Sequence, residues 1–536
     1  MSLEQQRPDG CGFRSRFSKE NLMTDRRRMN VCLVSVLFWG LAAHAYVFFH
    51  NTFSHDSLTE FNAAVYGNDW KMQLGRVFVP AYRFLFRGDL NLPWLIGVLS
   101  LIFLYWAVYM TVRIFHIHKN MIMFMLGGIY CANLTVSATA ATYINDLDSN
   151  MMALLLAVLA VFLWKKLKHG YLFGMVPVCL SLGLYQSYIS TTITLILLSM
   201  VLKLLKGGAF REVVRKGFLA VGMLIGGGLL YLLAMKGMLL LSPVELKTDN
   251  YNSVTGFLSL HFSELPALIG KDYLRTIYRI VATTSAYPKW MIIGAHVVML
   301  LLGGISFGIA VSDPKVGVKE RILAVMLLLL VPIAMNVSYI LSGGMSHELM
   351  HFAFNLIYVF LLLLADRIEW NRQIFRIRMK KLSAAVIVLM TMMILWGNVR
   401  LANTLYLKKN MEYDANLAFF TGVMDRMEQT PGYSSGGTPV VFVELPVILL
   451  EDAPGFENVN AIAGMWKNYV PNGTDPWSYQ AYFKYVLLNP AMMAEQAVWS
   501  RMQDDPRVLA MPVYPAEGSV AMIDDVLVVR FGKRFD

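Results

Sequence analysis

Acidic residues gather at the ends of apolar segments, where carboxylates could act on a substrate beside a membrane. Asp56 and Glu60 follow the first apolar segment and are four residues apart, so they share one face if this stretch is helical. Asp146 and Asp148 lie between the third and fourth apolar segments. A carboxylate can deprotonate a hydroxyl group that attacks an anomeric carbon, while cations neutralise a departing phosphate. These acids therefore suggest glycosyl transfer from a lipid phosphate. The candidate cations are Arg76, Arg83, Arg87, Lys271, Arg275 and Arg279.

The segment His347-Glu348-Leu349-Met350-His351 matches the pattern H-E-x-x-H. On an α-helix its two histidines fall on one face, which is the geometry of a zinc protease with Glu348 as the base. No third ligand follows at a recognisable spacing, although an aspartate between the third and fourth apolar segments could supply one. An intramembrane zinc metalloprotease is therefore one alternative. In the other interpretation, His347 and His351 line the mouth of an outward-facing cavity and contact a lipid phosphate or a sugar.

The chain that carries these side chains is too apolar for an ordinary soluble enzyme or a disordered protein. Of its 536 residues, 56% are hydrophobic and 15% are charged, whereas soluble chains average about 45–50% and about 25%. A membrane-spanning helix needs about 20 mostly apolar residues. We interpret eleven segments, three of them short, as spans. They are 31–49, 93–112, 120–139, 151–164, 171–184, 188–202, 218–240, 290–311, 322–341, 350–365 and 382–399.

The positions of Lys and Arg predict how these spans are oriented. With the N-terminus in the cytoplasm, 26 of the 47 Lys and Arg residues fall in the inner segments, which is a positive-inside pattern. The net charge of +11 then reflects membrane topology, and no nucleic-acid partner is expected. The predicted parts are a cytoplasmic segment (1–30), a transmembrane domain (31–399) with long outer loops (50–92 and 241–289), and an extracytoplasmic domain (400–536).

The last part of the chain has the pattern of a small α/β domain. Residues 403–428 have helical periodicity, and residues 431–437 form a break rich in turn-forming residues. The apolar runs at 439–443 and 526–531 are typical of strands. The predicted fold is therefore an all-α polytopic membrane protein with a small C-terminal α/β domain outside the cytoplasm.

Several short motifs resemble those of the type II phage-encoded glucosyltransferases that modify O-antigens, and of their bacterial relatives. The first outer loop has His55-Asp56-Ser57-Leu58 and then Gln73-Leu74-Gly75-Arg76-Val77-Phe78. Residues 148–154 are similar to the family's Asp-Ser segment, and Leu184-Tyr185-Gln186-Ser187-Tyr188 is similar to its Tyr-Gln turn. Residues 403–442 resemble its terminal helix and the strand that follows. One departure is His55-Asp56, where the family often has paired acids.

The resemblance implies a GT-C fold, to which the eleven or so predicted transmembrane helices would belong, and an inverting reaction. It also implies a polyprenyl-phosphate-linked sugar, with glucose expected, as the donor outside the cytoplasm. The acceptor would be a polysaccharide or lipid-linked glycan such as O-antigen. Asp56 is the expected base, and Glu60 and Asp148 are the other expected catalytic residues. The residues expected to bind substrate are Arg76, Asp146, Tyr185, Gln186, Lys271, Arg275, Arg279, His347 and His351.

The expected location is the bacterial inner membrane, with many spans and an extracytoplasmic C-terminal domain. No cofactor is expected, and a divalent metal is left open because a lipid-monophosphate donor has no diphosphate to bridge. The expected partners are the donor, the acceptor, membrane lipids, a companion flippase and a donor synthase. A lipid or polysaccharide transporter without covalent chemistry is a further alternative.

Overall fold

The protein, described by a computed structural model, is mostly helical. Residues 19–242, 244–247, 263–367, 374–444, 455, 456, 459 and 476–532 are described. The helices before residue 370 are α1 (Lys19–Phe49), α2 (His55–Thr59), α3 (Asn68–Gln73), α4 (Val79–Phe86), α5 (Pro93–Phe115), α6 (Asn120–Cys131), α7 (Leu134–Thr142), α8 (Ile144–Lys166), α9 (Gly170–Leu184), α10 (Ile189–Leu204), α11 (Phe210–Leu240), α12 (Leu265–Val281), α13 (Lys289–Val311), α14 (Val318–Met335), α15 (Val337–Leu341) and α16 (Leu356–Arg367). The later elements are α17 (Ile374–Glu428), α18 (Pro476–Tyr485), α19 (Gln496–Gln503), α20 (Pro506–Leu509), β1 (Pro439–Val443), β2 (Met492–Met493), β3 (Val520–Ile523) and β4 (Val526–Arg530).

Within the described ranges, eight helical stretches are long and apolar enough to cross a membrane. They are Thr24–Phe49, Pro93–Phe115, Asn120–Thr142, Ile144–Lys166, Gln186–Leu204, Phe210–Leu240, Lys289–Val311 and Lys381–Glu428. Gly170–Leu184 and Phe352–Asp366 are shorter apolar helices. The protein is therefore integral to a membrane, and the predicted apolar segments are helical. The predicted count of eleven spans is not confirmed.

Two of the predicted spans are broken helices. The span at 120–139 is α6 followed by α7, and the Asn133 side chain caps α7 by accepting a hydrogen bond from the Val136 amide at 3.0 Å. The span at 322–341 is α14 followed by α15, with Asn336 at the break. Asparagine favours such breaks because its short side chain competes with the helix for backbone groups.

Residues 140–150 lie between two predicted spans, where a loop is expected, but most of them are helical. Only Tyr143 separates α7 from α8, so Asp146 and Asp148 lie in the first turns of a long helix. Side chains two positions apart on an α-helix point to nearly opposite sides, because successive residues are about 100° apart. Asp146 and Asp148 are therefore directed to different surroundings.

The predicted first outer loop folds into α2, α3 and α4, against the ends of the membrane helices. Ser54 begins α2 with a reciprocal cap, since its hydroxyl accepts from the Ser57 amide and the Ser57 hydroxyl accepts from the Ser54 amide. A buried helix end needs such partners because its first amides have none within the helix. The Asn91 side chain donates to the Ser57 carbonyl at 3.1 Å and ties the end of the loop to α2. This packing gives the loop a defined shape.

The C-terminal part contains a four-stranded mixed sheet in the order β2-β1-β4-β3. The central strand β1 is parallel to β2 and β4, and β3 is antiparallel to β4. The predicted strands at 439–443 and 526–531 are thus confirmed as β1 and β4, and the helix predicted at 403–428 is the end of α17. Aromatic rings from α18 and α19 pack on β1, with Phe442 4.6 Å from Tyr479 and 6.1 Å from Trp499.

This C-terminal part lies against the segment that carries Asp56. Helix α18 packs on α2, and the rings of Phe61 and Tyr485 stack with their centroids 4.6 Å apart. Stacked aromatic pairs add stabilisation beyond the area that they bury. The sheet domain therefore helps to position the first loop.

Candidate active site

Side chains from five distant segments meet in a cavity of about 150 Å³, which we call the active-site cavity. It is enclosed by α2, by α3 and the turn that follows it, by the start of α8, by Tyr185, and by residues 347–350. The lining residues are Asp56, Glu60, Trp70, Lys71, Leu74, Arg76, Tyr143, Asp146, Asn150, Tyr185, His347, Leu349 and Met350. The cavity thus contains three carboxylates and two cations, and six of its lining residues were predicted from the sequence as site residues.

Two of the carboxylates are held by a shared lysine. The Lys71 ammonium lies 2.7 Å from Glu60 Oε1 and 2.7 Å from Asp146 Oδ2, and all three side chains are buried. Burial of a charge is costly unless opposite charges and hydrogen bonds compensate for it. Lys71 therefore joins the first loop to the start of α8 by ion pairs that neither segment could form alone.

Arg83 completes this network from the opposite side. Its Nη2 atom lies 3.1 Å from Glu60 Oε2 and 3.2 Å from Asp146 Oδ1. The Asn145 amide also donates to Glu60 Oε2 at 2.7 Å. Because the oxygens of both carboxylates already accept hydrogen bonds from charged or amide donors, this network favours a positioning role for Glu60 and Asp146.

Asp56 is the most exposed of the three carboxylates in the cavity. It is half-buried, whereas Glu60 and Asp146 are 5% and 3% exposed. It lies in the first turn of α2, where the amide end of a helix stabilises a negative charge. Of the three acids, Asp56 is therefore the one best placed to reach a substrate hydroxyl group.

Arg76 presents its guanidinium group beside Asp146 and an aromatic ring. It lies 4.6 Å from the centre of the Tyr185 ring, and its Nη1 atom lies 3.4 Å from Asp146 Oδ2. The preceding Gly75 has φ = 76°, a conformation that a side chain would strain. The Tyr231 hydroxyl donates to the Gly75 carbonyl at 2.8 Å, and the Gln186 amide donates to the Leu74 carbonyl at 3.1 Å. Gln186 thus supports the turn that aims Arg76 into the cavity.

Asp148 lies outside the cavity, although it was predicted to be catalytic. It is fully buried, and its Oδ2 atom is 2.9 Å from Arg87 Nε. The Arg87 guanidinium also donates to the carbonyls of Leu90 and Asn145, both at 2.6 Å. This geometry is typical of a structural ion pair, which here anchors the end of the first loop to α8.

The H-E-x-x-H pattern does not form the expected helical face. Residues Glu348–Met350 make one 3₁₀ turn. His347 lines the active-site cavity, whereas Glu348 and His351 line a second cavity on the other side of the segment. Among the described residues, no group of three or more His, Cys, Asp or Glu could hold a metal ion. The expectation of two histidines on one helical face was therefore wrong, and the geometry does not support the zinc protease.

The second cavity, which we call the lateral pocket, has a volume of about 340 Å³ and is bounded by α12 and residues 346–354. Two predicted cations, Arg275 and Arg279, line it, and Arg279 forms an ion pair with Glu348. Burial opposes ionisation of Glu348, but His351 and Arg279 outweigh it and lower the pKa of the Glu348 carboxyl to about 2. Burial also lowers the pKa of His351 to about 4.

Lys271 is exposed and is not among the lining residues of either cavity.

The sequence interpretation missed Lys71 and the cavity residues Trp70, Tyr143 and Asn150. Lys71 occurs in a polar stretch that is typical of an exposed surface, and nothing in its local pattern indicates burial. It is nevertheless 2% exposed, because its ammonium group lies between the buried carboxylates of Glu60 and Asp146. A surplus of acidic residues near the membrane was the signal that could have suggested a buried cation.

A sequence profile of the family described as Glucosyl transferase GtrII matches residues 45–365 of the chain. No curated protein and no solved structure matches. The matched residues are more than half of the chain and include every lining residue of the active-site cavity. This confirms the family that the motifs of the first loop and the Tyr-Gln turn suggested. The chain therefore belongs to the glucosyl transferase GtrII family, and it is an integral-membrane member of it.

Proposed function

We propose that the protein transfers a glucosyl unit from a polyprenyl-phosphate donor to a glycan acceptor, such as a lipid-linked O-antigen, in a GT-C type reaction. The observation that carries this proposal is the position of Asp56. Asp56, which is only partly buried, lines the same cavity as Arg76 and as the buried ion pairs of Lys71. A base for the acceptor and a cation for the leaving phosphate thus occur together, as transfer from a lipid phosphate requires.

In the proposed step, an Asp56 carboxylate oxygen removes the proton of the acceptor hydroxyl group. The hydroxyl oxygen forms a bond to the anomeric carbon while the bond from that carbon to the phosphate oxygen breaks. The electron pair of the broken bond leaves with the polyprenyl phosphate. Attack from the side opposite the phosphate inverts the configuration at the anomeric carbon.

Arg76 is the proposed partner of the phosphate because a guanidinium group offers several donors in a planar fork that suits phosphate oxygens. Its stacking on Tyr185 orients that fork toward the cavity. Glu60 and Asp146 position Lys71 and Arg83 and keep the cavity from carrying unbalanced positive charge. His347 lines the same cavity, where it can contact the sugar or the phosphate.

The proposed location is a bacterial inner membrane, with the active-site cavity and the C-terminal domain on the extracytoplasmic side. The positive-inside distribution of Lys and Arg supports this orientation. A donor made in the cytoplasm would then need a synthase and a flippase as companions. The contact between α18 and α2 places the C-terminal domain beside the cavity, where it could bind the acceptor glycan.

The test is an Asp56→Asn substitution assayed for glucosyl transfer in membranes that contain a polyprenyl-phosphate-glucose donor. Loss of a general base costs about 10²–10⁴ in rate, so the rate should fall by at least that lower factor. Asp69→Asn is a matched control, because Asp69 is an exposed aspartate of α3 in the same loop. Full activity of the Asp56 variant would exclude it as the base. No transfer by the native chain with any plausible donor would instead favour a transporter.

A further inference from the structure

The lateral pocket contains two arginines and belongs to no step of the proposed transfer. Arg275 and Arg279 are one turn apart on α12, and both line the pocket. The residues 346–351 separate it from the active-site cavity, with His347 and Leu349 facing that cavity and Glu348 facing the lateral pocket. The pocket is thus a separate cationic site on the other side of a single segment.

Helix α12 turns its apolar side outward and part of its polar side inward. Leu274 and Tyr278 are 70% and 73% exposed, whereas Asp272 and Thr276 are fully buried. In a membrane protein, such an outward apolar face is covered by lipid, since water would be an unfavourable neighbour. Tyr278 also lines the pocket. An occupant of the pocket can therefore combine an apolar chain along α12 with an anionic group at the arginines.

In the structure, an anionic group of the protein itself already occupies this site. The Glu348 carboxylate pairs with Arg279, whose guanidinium carbon lies 5.8 Å from the centre of the Phe354 ring. The Glu348 backbone is held separately, because its carbonyl accepts a hydrogen bond from the Thr135 hydroxyl at 2.9 Å. The Glu348 side chain can consequently leave Arg279 without displacement of the segment.

Two nearly buried polar side chains of the pocket each have one atom that makes no hydrogen bond with the described part of the chain. Within the described part of the chain, His351 Nδ1 and Asn336 Oδ1 have no hydrogen-bond partner, although the two side chains belong to residues only 4% and 2% exposed. His351 Nδ1 is 3.8 Å from Glu348 Oε2, beyond hydrogen-bonding distance. Its Nε2 lies 3.1 Å from the Ser346 hydroxyl, so Nδ1 carries the proton when Nε2 accepts. Buried polar atoms of this kind are usually satisfied, which indicates a polar ligand that accepts a hydrogen bond from His351 Nδ1.

We propose that the lateral pocket binds the phosphoryl headgroup of a membrane lipid, and that Glu348 occupies this anion site until the lipid displaces it from Arg279. The phosphoryl oxygens would accept hydrogen bonds from Arg279, from Arg275 and from His351 Nδ1. Phosphate satisfies an arginine fork at least as well as a carboxylate does. The exchange therefore keeps Arg279 paired in both states.

The experiment measures binding of tritiated farnesyl phosphate to the full-length protein purified in detergent. Glu348→Gln removes the competing charge and keeps the size of the side chain, so affinity should rise about tenfold, the worth of one charged hydrogen bond. Arg279→Gln should lower the affinity by at least about tenfold for the same reason. Glu264→Gln is the matched control, because Glu264 is an exposed glutamate at the start of α12. The affinity of this variant for farnesyl phosphate should equal that of the native chain.

Competition identifies the source of the phosphoryl group. Displacement of the probe by unlabelled farnesyl phosphate, but not by phosphatidylglycerol, assigns the pocket to a polyprenyl phosphate. Displacement by phosphatidylglycerol as well assigns it to phospholipid headgroups. Competition by farnesol as strong as that by farnesyl phosphate would overturn the proposal, since the tail alone would then bind.

Unchanged or weaker binding by the Glu348 variant would also overturn the proposal, provided that this variant elutes and melts as the native chain does. The measurement needs no sugar transfer. Failure of the transfer assay with the native chain, together with tighter binding by the Glu348 variant, would refute only the proposed function and leave the lateral pocket as a lipid site.

Discussion

Replacement of Lys71 by methionine should destabilise the protein severely, because one ammonium group serves two buried carboxylates. Lys71 lies 2.7 Å from both Glu60 and Asp146. Removal of one partner from a buried ion pair costs about 3–5 kcal/mol. Arg83 still contacts both carboxylates after the substitution, so we expect the lower end of that range, about 3 kcal/mol.

The measurement is the free energy of unfolding in a mixed-micelle denaturant titration, for the native chain and for a double-mutant cycle. Adding Glu60→Gln to Lys71→Met should recover part of the loss, because it neutralises one of the two uncompensated carboxylates. Lys119→Met is the matched control. Lys119 pairs with Asp366 but its side chain is 66% exposed, so its loss should cost less than about 1 kcal/mol.

Two results would contradict this reasoning. A Lys71→Met cost no larger than that of Lys119→Met would mean that Arg83 and Arg76 hold Glu60 and Asp146 without help. A double variant whose cost equals the sum of the single costs would mean that Lys71 and Glu60 do not interact in the folded protein.

Two further predictions concern Arg87 and His351. Arg87→Met should cost about 3–5 kcal/mol of stability because it leaves Asp148 buried without its cation. The rate of glucosyl transfer per folded molecule should stay near the native rate. A fall in that rate per folded molecule would assign Asp148 a chemical role. Burial lowers the pKa of His351 from 6.5 to about 4, so the folded state resists protonation of this side chain more than the unfolded state does. Its stabilising contribution is present above pH 6.5 and is lost as the pH falls from 6.5 to about 4, by up to about 1.4 kcal/mol per pH unit. His351→Gln should flatten thermal stability over that window, and an unchanged pH profile would contradict the burial of a neutral imidazole.

The class of the protein and most of its elements follow from local sequence features. Runs of about 20 apolar residues can satisfy their backbone groups in lipid only as helices or closed barrels, and the predicted segments are helical over most of their lengths, with breaks within 120–139 and 322–341. Strands β1 and β4 were predictable because short β-branched runs flanked by turn residues have few other stable conformations. The positions of helix breaks were not predictable, since Asn133, Tyr143 and Asn336 end helices only in combination with their packing.

The active-site cavity was predictable in part. Asp56, Arg76, Tyr185 and His347 were named from short motifs, and all four line it. Asp148 was grouped with Asp146 because the two are close in sequence, yet the helix that carries them directs one to Lys71 and the other to Arg87. Lys71 had no local signal, because its burial depends on a contact between residues 75 positions apart.

The sequence by itself determined that the chain is an integral-membrane protein of a glucosyltransferase family, with acidic candidates beside its first span. These properties depend on composition, periodicity and short motifs, which are local. Only the tertiary structure decided which carboxylates are held in ion pairs, which one is half-exposed in the cavity, and that His347 and His351 face different cavities. Those outcomes depend on the surroundings that each side chain meets after folding, because the stability of a buried charge is set by partners that are distant in sequence.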